Sequence, residues 1–183
     1  MELIIVISII IIVFVYRICN RKYQQLTEAG EEATPMDDTV IERKNPISKT
    51  ATFRIAGISH HCSRGDMGVI SGEMIDEPTN PYDKDAVMIV DANKTQLLGY
   101  IARDEKSSYR KIADGKARMP FVGFIEQYEN EDGEMRLFGI VRTYAGDEET
   151  VTADAQCDWE YLQHAFTVRD YEKRMELLDS FKY

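Results

Sequence analysis

Between residues 52 and 144, short apolar alternations recur in TFRIAGI, GVISGEMI, AVMIVD and LLGYIA, and two longer apolar runs, PFVGFIEQY and EMRLFGIVRTY, follow. Gly, Pro, Asn or Asp bounds each run, as expected of strands that end in turns. The last two are joined by Asn130-Glu131-Asp132-Gly133, whose Asp-Gly end is a hairpin signal. One stretch breaks the alternation. DEKSSYRKIADG, Asp104 to Gly115, places acids first, Lys and Arg later and a Gly at its end, the polarity of a short helix. Six such strands remove their exposed edges by closing on themselves. The pattern therefore predicts a mainly β (α+β) domain over 52–144, a small six-stranded antiparallel barrel with one or two short helices.

After the last strand comes GDEETVTADAQ, which reads as a polar loop, and then DWEYLQHAFTVRDYEKRMELLDSF. In the latter, Trp159, Leu162 and Phe166, then Val168, Tyr171, Met175 and Leu178, recur at helical intervals, so 145–183 is expected to be an acidic tail with two short amphipathic helices. Their plain role is to pack on the barrel. The sharper one is to dock a protein partner, because an acidic face repels nucleic acid and anionic lipid alike.

The start of the chain follows neither period. Leu3 to Tyr16 reads LIIVISIIIIVFVY without a charge, followed by Arg17, Arg21 and Lys22. This run is shorter than the ~20 residues that span a bilayer comfortably, and snorkelling of Arg17 extends it to Cys19. Glu2 ahead of the run and a bulky basic stretch behind it are the reverse of a cleavable signal peptide. The expectation is a single-pass transmembrane helix within residues 1–22, in contact with the lipid bilayer from Leu3 to Cys19. Its basic flank puts the globular part in the cytoplasm. Residues 23–51, rich in Glu, Thr, Asp and Pro, read as a flexible linker.

The 183 residues suffice for one domain with appendages, and 22 Lys and Arg against 32 Asp and Glu give a net charge of −10. That balance argues against a general polyanion binder. The average conceals an asymmetry: residues 126–183 hold 15 acids and 6 bases, whereas 51–125 hold ten of each. Cys19, Cys62 and Cys157 are an odd set with no Cys-x-x-Cys pair, which suits reduced thiols.

Phe53, Gly57, Glu77-Pro78, Asn80-Pro81-Tyr82-Asp83, Ala86-Val87 and Gly99-Tyr100-Ile101 together form a pattern that resembles the HIRAN domain, over about Thr52 to Glu126. The resemblance implies an OB-like barrel that captures the 3′ end of single-stranded DNA, with Asn80, Tyr82 and Asp83 around the terminal nucleotide. The residue types suit such a ligand, since a tyrosine face stacks on a base, and a carboxylate accepts from a free hydroxyl while repelling a phosphate. Asn80, Pro81 and Asp85 also have a purely structural reading. Pro81 fixes its own φ and biases Asn80 toward extended geometry, and Asn and Asp side chains cap turns.

The sequence departs from the family pattern in one place. Where DNA-binding members carry an Arg and aromatic residues after the first strand, this chain reads Ser59-His60-His61, which makes His60 and His61 site candidates of weaker charge. The run Arg103 to Arg118 has Arg103, Lys106, Arg110, Lys111, Lys116 and Arg118 against Asp104, Glu105 and Asp114, a local net of +3. Arg103 and Lys106 join the candidates as partners for a backbone phosphate beside the barrel mouth.

No metal or cofactor is expected. His60-His61-Cys62 places adjacent ligands in diverging directions, and Cys157 and His164 add no finger spacing. There is no phosphate loop, His-Glu-x-x-His helix or nucleophile elbow. The expectation is therefore a non-enzymatic, membrane-anchored nucleic-acid-binding module. The alternative is a membrane-tethered protein-interaction module that has lost the nucleic-acid site. A phosphoester hydrolase using Asp83 and Asp85 has the least support.

Overall fold

A computed structural model describes residues 45–92 and 96–182. The expected anchor and most of the expected linker lie outside the described residues. Among those that are described, no helix is long and apolar enough to cross a membrane.

Six antiparallel strands, β1 (Lys49–Ala56), β2 (Gly68–Asp76), β3 (Val87–Asp91), β4 (Leu97–Ile101), β5 (Arg118–Glu129) and β6 (Met135–Ala145), close into a barrel in the order β1-β4-β3-β2-β5-β6. The helices are α1 (Ile58–His61), α2 (Lys106–Ala113), α3 (Glu148–Thr167) and α4 (Tyr171–Ser180). Closure depends on β1 changing partners. Lys49 to Arg54 pair with Ala145 to Ile140 of β6, and Ile55 and Ala56 with Ile101 and Tyr100 of β4. Near that crossover the Arg54 N–H donates to Glu105 Oε2 at 2.8 Å. Gly99 permits the close approach: at φ 150° a Cβ there would lie 2.4 Å from the Ala56 carbonyl oxygen.

Strand alternation sends Phe53, Ile55, Ile70, Met74, Ile89, Phe121 and Val141 into the barrel, where Tyr109 and Ala113 of α2 and Ile58 of α1 join them. A second core lies outside it. Val122, Phe124, Ile140 and Tyr144, on the opposite faces of β5 and β6, pack against Tyr161, Leu162 and Ala165 of α3, Leu178 of α4 and Phe181 just beyond it. The plain role of the tail helices is thus the one their apolar residues fill. At about 1.5–3 kcal/mol per large side chain, this second layer is a major part of the fold.

A buried charge network fixes it in place. Arg142, 1% exposed, bonds Asp158 Oδ2 at 3.2 Å and Thr52 Oγ1 at 3.3 Å, donates to the Phe181 carbonyl, and lies 4.4 Å from the Phe181 ring centroid. Tyr144 donates its hydroxyl to the same Asp158 oxygen at 2.7 Å.

Two expectations are corrected. GDEETVTADAQ is not a loop: from Glu148 onward it forms the first turns of α3, a 20-residue helix. Asp147 caps it by accepting from Thr150 N at 2.9 Å, and Glu148 and Glu149 favour its positive end. Nor does the linker reach residue 51. Ser48 N donates to Asp154 Oδ2 at 2.7 Å and Ile47 N to Oδ1 at 3.2 Å, and β1 begins at Lys49.

Candidate nucleic-acid interface

The corner between β2 and β3 is built by its own side chains. Asn80 Oδ1 accepts from the Tyr82 N–H at 3.0 Å and the Asp83 N–H at 3.2 Å, while its Nδ2 donates to Glu77 Oε2 at 2.7 Å. Asp83 Oδ1 in turn accepts from Asp85 N at 3.1 Å. Backbone bonds from Asn80 N to Glu77 O, from Ala86 N to Asp83 O and from Glu77 N to Ala86 O complete the frame. Both polar atoms of the Asn80 amide thus serve to hold the corner, and Tyr82 is left at the tip with 94% of its surface exposed.

Asp83 is tied to the neighbouring wall. Its Oδ2 pairs with the ammonium of Lys106, the first residue of α2, whose side chain is only 14% exposed. The hydrogen bond from Lys106 holds the Asp83 carboxyl below the usual carboxylate range, and the Asp85 N–H and the charge of Arg103 act in the same direction against partial desolvation. The carboxylate is therefore ionised, fixed in direction and still reachable.

The opposite wall is α1. Gly57, in the left-handed region at φ 76°, turns the chain sharply out of β1, and Ile58 is buried as the anchor. His61 lies edge-on to Tyr100, centroids 6.2 Å apart, and its carbonyl accepts from Gln96 Nε2 at 2.8 Å. The Tyr100 hydroxyl is pushed above its usual range by burial and by Glu77, so it stays a neutral hydrogen-bonding group.

Between these walls is a cavity of about 550 Å³, within the ordinary range for ligand sites. All seven residues singled out from the sequence line it: Asn80, Tyr82 and Asp83 on the corner, His60 and His61 on α1, and Arg103 and Lys106 at the start of α2. Gly57, Ala86, Tyr100 and Ile101 form the rest of the lining. Those four belong to the sequence pattern but were not expected as site residues. For Gly57, Ala86 and Ile101 the signal is glycine or apolar character, which a search for charge and hydrogen bonding passes over; for Tyr100 it is the aromatic hydroxyl within Gly99-Tyr100-Ile101.

The structure also redistributes the charge of the Arg103 to Arg118 run. Lys106 is paired with Asp83, Arg110 with Asp76 at 2.6 Å and Arg118 with Glu73 at 3.0 Å, while Asp104 and Glu105 both engage Arg54. Arg103 has no ion-pair partner among the described residues and is the free cation of the cleft. Among the described residues no three His, Cys, Asp or Glu side chains converge as metal ligands would.

No protein-family model matches the chain, and no curated protein sequence matches it. Among solved structures, the crystal structure of the HIRAN domain of human HLTF is similar over 59% of this chain and 84% of that chain, at 16% identity and a TM-score of 0.34. An overlap that loose carries no residue from one site to the other.

Proposed function

We propose that the cleft binds the 3′-terminal nucleotide of single-stranded DNA and that the chain is a HIRAN-like, non-enzymatic binding module. What carries this reading is the convergence on one cavity of seven residues from three separate segments, including an exposed aromatic face next to an ionised carboxylate. Tyr82 stacks on the terminal base. Asp83, aimed by Lys106, accepts from the free 3′ hydroxyl, and a terminal phosphate in the same place meets its negative charge. Arg103, with His60 and His61, faces the next phosphate along the strand. The apolar run Leu3 to Cys19 tethers the module to a membrane with the barrel in the cytoplasm, and recovery of the full chain without detergent would contradict that part.

Titration with oligonucleotides that differ only in a 3′ hydroxyl or a 3′ phosphate tests the site. The hydroxyl end is expected to bind at least about tenfold more tightly, equivalent to roughly 1.4 kcal/mol. Equal, feeble binding of both ends would remove the proposal. It would leave the protein-interaction reading, which draws on a groove of about 530 Å³ where Trp159, Val151 and Ala155 of α3 face Pro120 and Val122 of β5.

A further inference from the structure

We infer that a second phosphate subsite lies at the far end of α2, in a cavity of about 430 Å³ lined by Lys49, Lys111 and Lys116, and that it holds the backbone of a strand whose 3′ end sits in the first cleft. The inference rests on the end-binding reading of that cleft. The three ammonium groups come from separate places: the first residue of β1, the last turn of α2 and the turn that follows it. That turn is what gathers them. Asp114 at φ 48° and Gly115 at φ 82° reverse the chain, and Lys116 N bonds back to the Ala113 carbonyl at 2.9 Å, returning Lys116 beside Lys111.

Asp114 is the one carboxylate in the lining. None of the three lysines has an ion-pair partner among the described residues, in contrast to Lys106, Arg110 and Arg118 nearby. In a chain of net charge −10, unpaired positive charge gathered in one concavity is a local attractor for an anion.

Position specifies which anion. Lys106 at the start of α2 lines the first cleft and Lys111 near its end lines the second. Lys106 and Lys111 are five positions apart on this helix, an axial rise of about 7.5 Å at ~1.5 Å per residue. A strand stacked at ~3.4 Å per nucleotide covers that rise in about two nucleotides. On the way it passes exposed Ser107 and Ser108, and α2 carries no carboxylate along this length. A polyanion of regular charge spacing matches two cationic sites at opposite ends of one helix. An isolated lipid headgroup has no use for the register.

The test compares the full chain with its Lys111→Gln, Lys116→Gln double variant, both positions being exposed. The probes are a thymidine dinucleotide and octanucleotide with 3′ hydroxyls, the octanucleotide with a 3′ phosphate, and phosphatidylserine vesicles. The expected result is equal dinucleotide binding by both proteins, with the affinity gained by the octanucleotide lost in the variant. The variant's plot of log affinity against log salt should be shallower by about 1.4, at ~0.7 per phosphate contact. Octanucleotide binding that ignores the 3′ end yet disappears in the variant would uphold the lysine subsite and end the end-capture reading. An identical gain with length in both proteins would overturn the subsite and leave end capture intact. Binding of vesicles through the lysines with no oligonucleotide binding would overturn both.

Discussion

At the scale of single residues Asn80 makes the corner, and Tyr82 and Asp83 are what the corner presents to the cleft. Tyr82→Ala removes an exposed ring, so thermal stability should stay unchanged while oligonucleotide affinity falls by about 1–3 kcal/mol in a titration. The corner was legible because Asn, Pro and Asp at these spacings have few other uses. The pairing of Lys106 with Asp83 was not, because the two are 23 positions apart and meet only when the start of β3 pairs with the end of β4, Met88 opposite Tyr100. That pair has a pH signature. The Asp83 carboxyl is held below its usual range, so the pair's contribution is present above the ordinary carboxylate value and is lost as pH falls through the lowered one. Carboxyl-carbon NMR should find the Asp83 midpoint below the ordinary ~3.9, and Lys106→Ala should return it toward that value. Tyr109 is a second marker. Burial pushes its hydroxyl up to about 12, and the hydroxyl has no hydrogen-bond partner among the described residues. Its contribution is complete below the unfolded tyrosine value of ~10 and is lost as pH rises toward 12. Tyr109→Phe should fold at least as stably at neutral pH and should flatten the loss of stability across that alkaline window in denaturant melts.

At the scale of elements, the six strands and α2 could be read from alternation and charge polarity, and the start of α3 could not. Thr150, Val151 and Thr152 are β-branched and the stretch is acidic, which reads as loop. Two other terms decide the outcome: the Asp147 cap, and the packing of Val151 and Ala155 against the outer face of the barrel. Asp147→Ala should cost about 1 kcal/mol in chemical denaturation. Asp158→Ala should cost far more, about 3–5 kcal/mol, because it strands the buried guanidinium of Arg142. If the tail were a loosely held appendage, both substitutions would leave the barrel's unfolding transition where it is.

For the described part of the molecule, the fold is a barrel with a second core laid on β5 and β6. The sequence carried a trace of this in PFVGFI, whose near-continuous apolar run exceeds what a strand with one solvated face needs. Net charge was a poorer guide. The acidity of the tail hid the unpaired cations that line two cavities, Arg103 in one and Lys49, Lys111 and Lys116 in the other. Ion pairing, which composition cannot reveal, decides which charges a ligand meets. In the proposed function the Asp83 carboxylate is what chooses a strand end by its chemistry. The decisive quantity is the ratio of affinities for 3′-hydroxyl and 3′-phosphate oligonucleotides, taken in the unmodified protein and in Asp83→Asn. A ratio of at least about ten is expected, collapsing toward one in the variant chiefly because the phosphate end gains affinity. A ratio near one in the unmodified protein, or one that survives the substitution, would refute that role for Asp83.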